Sequence, residues 1–349
     1  MKDIFQRYLT EIEEELQRAL PAPDERLSPF YGMMRYHLGW ADERFQAAEA
    51  KRGKRLRPLL CLLACEAAGG DYRLALPAAA AIELVHNFSL IHDDIEDRGH
   101  LRHHRPTVWH LWGEPQAINV GDGMLILAHL TLHRLLERGV SPDKVAAVMK
   151  ALDAASLSLC QGQYLDLSFE ERLDVTVEEY LAMIEDKTAS LIACSTQIGA
   201  MLATDDGMLI ERYSRFGRNL GMAFQVVDDI LGIWGEESVT GKPVADDIRQ
   251  KKKSLPIVYA LEQGLGDRGQ GLRAREQGLG EIYGKDVLSD EDMRRVVAIL
   301  EGVKARQYAE RLASDYHRRA LAELEKTGIE NEAQAMLREL ARFLIERVY

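Results

Sequence analysis

Apolar residues recur every three or four positions through most of the chain, which is the spacing of amphipathic helices. Asp3–Leu20 has this spacing and stops before Pro21, a residue that ends helices, and Phe30–Glu49 repeats the spacing. No run of alternating apolar and polar residues predicts a strand. The sequence therefore predicts an all-α protein, a large single-domain bundle of antiparallel helices over residues 1–349 around a central cavity. The other predicted helices are the apolar segment that ends at Ala68 and Leu76–Asp97, Gly121–Arg138, Pro142–Tyr164, Thr176–Leu202, Asp206–Trp234, Leu255–Glu262, Asp290–Tyr316 and Ala333–Val348.

Two of these predicted helices carry acidic pairs after apolar runs. One has Asp93-Asp94 followed by Asp97, and the other has Asp228-Asp229. Because a helix turns about 100° per residue, Asp93 and Asp97 lie one turn apart on one face. Carboxylates on an apolar stripe repel each other and are costly to desolvate, and a hard cation such as Mg²⁺ removes that cost. Either stretch alone could be a solvated helix end, but the two together predict helices that face one cavity and hold Mg²⁺ on a diphosphate.

A basic segment, Lys51–Arg57, stands out in an acidic chain. It has five Lys or Arg among seven residues, whereas the formal net charge of the whole chain is −12. Since a helix N-terminus surrounded by cations binds anions, this segment, with Arg102, Lys242 and Lys252, predicts a phosphate site rather than a solvated charged face. The negative net charge argues against nucleic acid as a partner.

Other features restrict the class of protein. The four cysteines have no disulfide-rich spacing, and the N-terminus does not resemble a signal peptide. No apolar run approaches the length of a membrane span, since Leu59–Ala68 is interrupted by Glu66. We therefore expect a soluble, cytoplasmic protein without a membrane span. No P-loop, dinucleotide fingerprint, zinc-protease motif or nucleophile elbow is present.

The order and spacing of these motifs resemble the trans-isoprenyl diphosphate synthases, or polyprenyl synthetases, over about residues 50–260. Asp93–Asp97 is similar to the first aspartate-rich motif, DDxxD, and Gly53–Pro58 resembles the isopentenyl diphosphate motif. The resemblance implies an isoprenoid synthase fold and a homodimer. The remaining positions that match family motifs are His86, Arg102, Gln163, Asp166, Lys187, Thr188, Phe224, Gln225, Asp228, Asp229, Lys242 and Lys252.

The resemblance also implies a Mg²⁺-dependent condensation of isopentenyl diphosphate with an allylic diphosphate. Asp93, Asp97 and Asp228 would hold about three Mg²⁺ ions on the allylic diphosphate. Lys54, Arg57 and His86 would bind isopentenyl diphosphate. The other residues assigned to catalysis are Asp94, Asp229, Lys187, Thr188 and Gln225, and those assigned to substrate binding are Arg102, His103, Gln163, Lys242, Lys252, Phe88 and Ser89.

Three positions depart from the family pattern. His103 stands where the family has a second arginine, and His104 where it has glycine. Gly232 replaces the third aspartate of the second acidic motif, and Glu236 lies four residues further on. Asp228, Gly232 and Glu236 thus have the spacing of the class I terpene cyclase triad with its middle ligand missing. A terpene cyclase and a non-catalytic regulatory subunit of a synthase therefore remain as alternatives.

Product length is predicted from the residues just before the first aspartate. In the family, bulky residues four and five positions earlier close the floor of the cavity, and here they are Ser89 and Phe88. This combination resembles synthases that make the twenty-carbon geranylgeranyl product. The fifteen-carbon farnesyl product is the alternative.

Overall fold

The computed structural model describes residues 2–21, 24–50, 53–235, 245–265, 278–285 and 287–345. The chain forms two compact units. We call Met1–Ser156, Cys194–Tyr213 and Ile329–Gln334 the first unit. The second unit is Leu157–Ala193, Ser214–Gly328 and Ala335–Tyr349. One domain over residues 1–349 and a central cavity stay predictions.

Helices account for nearly all regular structure in the described residues, so the all-α prediction is confirmed. From the N-terminus they are α1 Lys2–Ala19, α2 Ser28–His37, α3 Leu56–Ala67, α4 Leu76–Glu96, α5 Val108–Trp112, α6 Glu114–Leu132, α7 Arg134–Glu137, α8 Pro142–Phe169, α9 Val177–Ile184, α10 Ser190–Ala203 and α11 Gly207–Trp234. They continue as α12 Asp246–Arg249, α13 Leu255–Leu265, α14 Asp290–Gly302, α15 Ala305–Glu325 and α16 Glu332–Ile345, and residues 278–283 are helical too. Short 3₁₀ turns cover Glu25–Leu27 and Tyr72–Ala75, a π-helix covers Glu185–Ala189, and β1 Leu101–Arg102 pairs antiparallel with β2 Arg105–Pro106.

Helix α4 lies in the core of the first unit and packs against α1, α3 and α6. With the turn before it, Tyr72–Glu96 has a mean hydropathy of 1.5 and the length of a membrane span, which the sequence analysis missed. However, 78% of its apolar stretch is buried inside the protein, as expected for a core helix. Small residues allow the close packing, because a Cβ at Gly121 of α6 would lie 2.3 Å from His92 Nε2.

A buried arginine fixes the start of α3 within the first unit. Arg55 adopts a left-handed conformation with φ of 50° and ends the basic segment just before the helix. Its Nε lies 2.7 Å from Glu13 Oε1, and its Nη1 lies 2.9 Å from Glu83 Oε1. A buried charge needs such partners to offset its desolvation. Arg55 is therefore a structural residue, whereas Lys51 and Arg52 lie outside the described residues.

Several predicted helix boundaries were wrong. The helix predicted over Phe30–Glu49 ends at His37, and Gly39 follows with φ of 80°. The helix predicted over Asp290–Tyr316 is two helices, α14 and α15, separated at Lys304 with φ of 58°. Helix α6 begins at Glu114 rather than Gly121. The first two errors reflect local turns that the apolar spacing does not register.

Candidate active site

The first acidic motif forms the end of α4 in the first unit. Asp94 is buried, and Arg102 Nε donates to its Oδ1 and Oδ2 at 3.0 and 3.1 Å. Burial raises the pKa of Asp94, and the guanidinium of Arg102 acts in the opposite direction. Arg102 Nη2 also lies 3.4 Å from Asp93 Oδ2. Asp93 is half-buried and Asp97 is exposed, so these two carboxylates are placed to meet a ligand while Asp94 anchors Arg102.

A two-residue hairpin turn brings Arg102 to the end of α4. Arg102 of β1 pairs with Arg105 of β2, and His103 and His104 connect them. Both histidines have positive φ, 52° and 64°, which is the backbone of a type I′ turn. Such turns favour glycine, and the family pattern has glycine at the position of His104. His103 and His104 are exposed.

Two of the residues predicted to bind isopentenyl diphosphate are paired. Arg57 Nη1 lies 3.2 Å from His86 Nε2. Burial, and then the positive charges of Arg57 and Arg102, hold the pKa of His86 well below its usual value. His86 is therefore neutral at pH 7. Lys54, the third predicted residue, is exposed two residues before α3.

Phe88 and Ser89 lie between this pair and the acidic motif. Phe88 is 5% exposed, and its ring packs edge-to-face against His92 at 5.6 Å between centroids. Ser89 Oγ donates to His86 O at 2.8 Å. Phe88 is thus buried on α4 against the ring of His92.

In the second unit, a π-helix positions Lys187 and Thr188. Lys187 Nζ donates to Asp166 Oδ2 of α8 at 2.5 Å. A Cβ at Gly162 would lie 2.2 Å from Lys187 N, so α8 can approach this backbone only with glycine there. Single-turn π-helices are frequent at functional sites. The structure thus joins the GQxxD and KT motifs, and Gln163 lies on the same helix, half-buried.

A chain of hydrogen bonds links Thr188 to the second acidic motif. Thr188 Oγ1 donates to Gln225 Oε1 at 2.8 Å, and Gln225 Nε2 donates to Asp229 Oδ1 at 3.0 Å. Tyr180 Oη and Leu255 N donate to Asp229 Oδ2 at 2.5 and 3.0 Å. Burial raises the pKa of Asp229 to about 7. Asp229 is therefore a buried anchor, whereas Asp228 is half-buried.

The sequence analysis missed two residues that lie beside the predicted site residues. Tyr180 lies on an apolar helix and His37 ends α2, so neither had a motif that could mark it. Lys252 is exposed. Lys242 and Glu236 lie outside the described residues.

The oxygen donors of both motifs fit Mg²⁺. In the described part of the chain, no three His, Cys, Asp or Glu side chains form a cluster that could hold a metal. Magnesium is usually bound by one or two carboxylates together with water and substrate phosphates rather than by a full protein cage. Asp93 with Asp97 in the first unit, and Asp228 in the second, provide such partial donor sets.

Comparisons with known proteins identify the family of the chain. The polyprenyl synthetase family profile matches residues 39–300. The chain is 40% identical to a (2E,6E)-farnesyl diphosphate synthase of Mycobacterium tuberculosis over 324 residues, which is 93% of this chain and 88% of that protein. It is 38% identical to a geranylgeranyl diphosphate synthase of the same species over 325 residues, again 93% and 88% of the two chains.

Solved structures show the same fold. A polyprenyl synthetase from Streptomyces coelicolor superimposes with a TM-score of 0.87 at 36% identity, covering 97% of this chain and 98% of that one. A geranylgeranyl pyrophosphate synthetase from Pyrococcus horikoshii gives a TM-score of 0.86 at 34% identity, covering 99% and 98%. With its motifs, their geometry and these relatives in agreement, the chain belongs to the polyprenyl synthetase family.

Proposed function

We propose that this protein is a short-chain trans-prenyltransferase that condenses isopentenyl diphosphate with an allylic diphosphate. The observation that carries the proposal is that α4 contributes to two pairs of polar or charged side chains. His86 with Arg57 forms one, and Asp93 with Arg102 forms the other. The two positions are seven residues apart, which is about 10 Å along a helix. That separation suits the separate binding of two diphosphates whose hydrocarbon ends must meet.

The side chains support a reaction that needs little protein acid–base chemistry. Asp93, Asp97 and Asp228 would hold Mg²⁺, which when bound neutralises diphosphate charge and stabilises the leaving group. Arg102 adds a fixed positive charge beside Asp93 in the first unit, and Lys187 adds one in the second. The double bond of isopentenyl diphosphate then forms the new C–C bond, and the proton lost from its C2 goes to the released diphosphate.

The neutral His86 and the Thr188–Gln225 chain have supporting roles in this proposal. Because burial keeps His86 uncharged, it can hydrogen-bond Arg57 without repelling it. Gln225 accepts from Thr188 and donates to Asp229, which fixes the direction of its amide dipole. We infer that these oxygens face the allylic cation as dipoles and form no covalent bond with it.

We propose the twenty-carbon geranylgeranyl diphosphate as the product, because the buried Phe88 lies five residues before the first aspartate. Farnesyl diphosphate is the alternative, and the relatives include synthases of both kinds. A homodimer, which follows from the resemblance, and a cytoplasmic location, which follows from the sequence, are also part of this proposal.

Product analysis tests the proposal. The purified protein is incubated with Mg²⁺, isopentenyl diphosphate and allylic primers of five, ten or fifteen carbons in turn, with a control that lacks isopentenyl diphosphate. We expect a linear prenyl diphosphate only when isopentenyl diphosphate is present. A hydrocarbon or alcohol formed from a primer alone would instead indicate a cyclase, and no product at all would indicate a non-catalytic subunit.

A further inference from the structure

The position that lacks the third aspartate of the second acidic motif is next to another carboxylate. A Cβ at Gly232 of α11 would lie 2.0 Å from Asp247 Oδ2, 2.4 Å from its Cγ and 3.0 Å from its Oδ1. Real Cβ atoms essentially never approach other atoms within 3.0 Å. Asp247 therefore occupies the space that a side chain at position 232 would need.

Buried neighbours hold these two residues together within the second unit. Asp247 lies in the first turn of α12, and the next residue, Ile248, is fully buried. Ile233, which follows Gly232, belongs to the same hydrophobic cluster as Ile248 and is also buried. Asp247 O also accepts from Lys252 N at 2.9 Å. The approach of α12 to α11 at Asp247 and Gly232 is thus fixed by core packing on both helices.

The consequence is a carboxylate on the side of α11 that bears Asp228. Residues four apart on a helix share a face and are separated by about 6 Å along the axis. Asp229 cannot supply this carboxylate, because it is buried and bonded to Tyr180, Gln225 and the backbone of Leu255. The second motif therefore has two half-buried carboxylates, Asp228 on α11 and Asp247 on α12.

We propose that Asp247 replaces the missing third aspartate of the second acidic motif and positions Mg²⁺ and its bound water beside Asp228. The proposal rests on the proposed function, since it assigns Asp247 to the same diphosphate site. Asp247 is a positioning residue that acts on the metal's hydration shell, since bound Mg²⁺ usually keeps several water molecules. The glycine at 232 is then a requirement of this arrangement rather than a loss of function.

The first experiment compares Asp247→Asn with Asp246→Asn. Both variants remove one negative charge from the same turn of α12, but Asp246 accepts from Gln250 Nε2 at 2.8 Å. The readout is the rise in melting temperature caused by Mg²⁺ with inorganic diphosphate, titrated in Mg²⁺. We expect Asp247→Asn to raise the half-saturating Mg²⁺ concentration about tenfold and Asp246→Asn to change it less than about twofold. Equal half-saturating concentrations for Asp247→Asn and the unmodified protein would overturn the proposal.

The second experiment moves the carboxylate back to α11. Gly232→Asp alone places two carboxylates in one space, so we expect repulsion to lower the melting temperature. Combining Gly232→Asp with Asp247→Ala should restore a Mg²⁺ response that Asp247→Ala alone lacks. If the double variant responds to Mg²⁺ no more strongly than Asp247→Ala, position 232 cannot replace Asp247 and the proposal is contradicted. Because neither readout requires turnover, a protein that makes no prenyl diphosphate would disprove the proposed function without deciding this result.

Discussion

Single residues show how one acidic pair serves two purposes. Successive residues on a helix point about 100° apart, so the members of an Asp-Asp pair have different surroundings. Asp94 and Asp229 are buried and hydrogen-bonded, whereas Asp93 and Asp228 are half-buried. In each motif the second aspartate anchors a neighbour, and the first is left to face a ligand. The assignment of Asp94 and Asp229 to catalysis stays a prediction, and their contacts suggest an anchoring role.

At His104, one residue determines the strain of the hairpin turn. A non-glycine residue in the left-handed region is disfavoured by roughly 1 kcal/mol, and His104 has φ of 64°. We expect His104→Gly to raise the free energy of unfolding by about 0.5–1 kcal/mol, measured by urea denaturation. His133→Gly is the matched control, because His133 is also exposed but has φ of −61° and should lose stability. Equal changes in the free energy of unfolding of the two variants would show that His104 is not strained.

Phe88 gives a prediction about product length. Replacing its buried ring with the methyl group of alanine opens volume at the predicted cavity floor. We expect Phe88→Ala to lengthen the main product by at least one five-carbon unit, measured by chromatography of the dephosphorylated products. Phe343→Ala, at a residue 38% exposed on α16, is the control for loss of a phenyl ring. An unchanged product would show that another residue limits chain length.

At the scale of elements, close contacts between helices bring motifs together. The spacing of the motifs along the chain does not predict these contacts. The π-helix at Lys187 and the glycine at 162 permit α8 to approach, and this approach joins Lys187 to Asp166. The sequence identified both motifs but not their contact. Helix periodicity did not predict the π-helix, because a single turn is too short to set a period of its own.

The end of α2 makes the stability of the protein depend on pH. Burial, and then the charges of Arg102, Arg55, His103 and Arg105, lower the pKa of His37 to about 3. The unfolded chain binds a proton at this residue near pH 6.5, so the stability linked to His37 is present above that pH and is lost towards pH 3. Between pH 7 and pH 5, the contribution of His37 to the free energy of unfolding falls by about 2 kcal/mol.

His37→Gln removes this titration. Between pH 7 and pH 5, we expect the free energy of unfolding of this variant to fall less than that of the unmodified protein. The difference between the two decreases should be about 2 kcal/mol. Urea denaturation at the two pH values measures the difference. His133→Gln, at an exposed residue, should retain the full decrease. A His37→Gln variant with the same decrease would show that other groups account for acid sensitivity.

At the scale of the whole molecule, the sequence predicted the fold class and most motifs because these depend on local periodicity and spacing. Arg57 lies with His86 in the first unit, and Lys187 lies beside Thr188 in the second. The partners of these residues were not predicted. Tyr180, His37 and Asp247 come from apolar or irregular segments, and only packing brings them to the motifs. From the sequence alone, Gly232 indicates a missing metal ligand, because Asp247, its neighbour in space, is fifteen positions away in the chain.

The last prediction concerns assembly. Helix α6 exposes Ile118, Ile126 and Leu130, which are spaced by multiples of four residues and so share one side of the helix. Exposed apolar rows of this kind are typical of protein–protein interfaces. If the protein is a homodimer, this row is expected to be part of the interface. Light scattering should then give about twice the monomer mass of 39.4 kDa, and Ile126→Asp should reduce it to that of the monomer.

Leu136→Asp is the control for this experiment, because Leu136 is 44% exposed but lies on α7, outside the row. It should remain dimeric, since a new charge there stays in water and is not trapped between two chains. Equal dissociation by both variants would point to general destabilisation rather than to an interface on α6. A monomeric mass for the unmodified protein would contradict the homodimer itself, and activity measured at the same concentration would show whether one chain is sufficient for turnover.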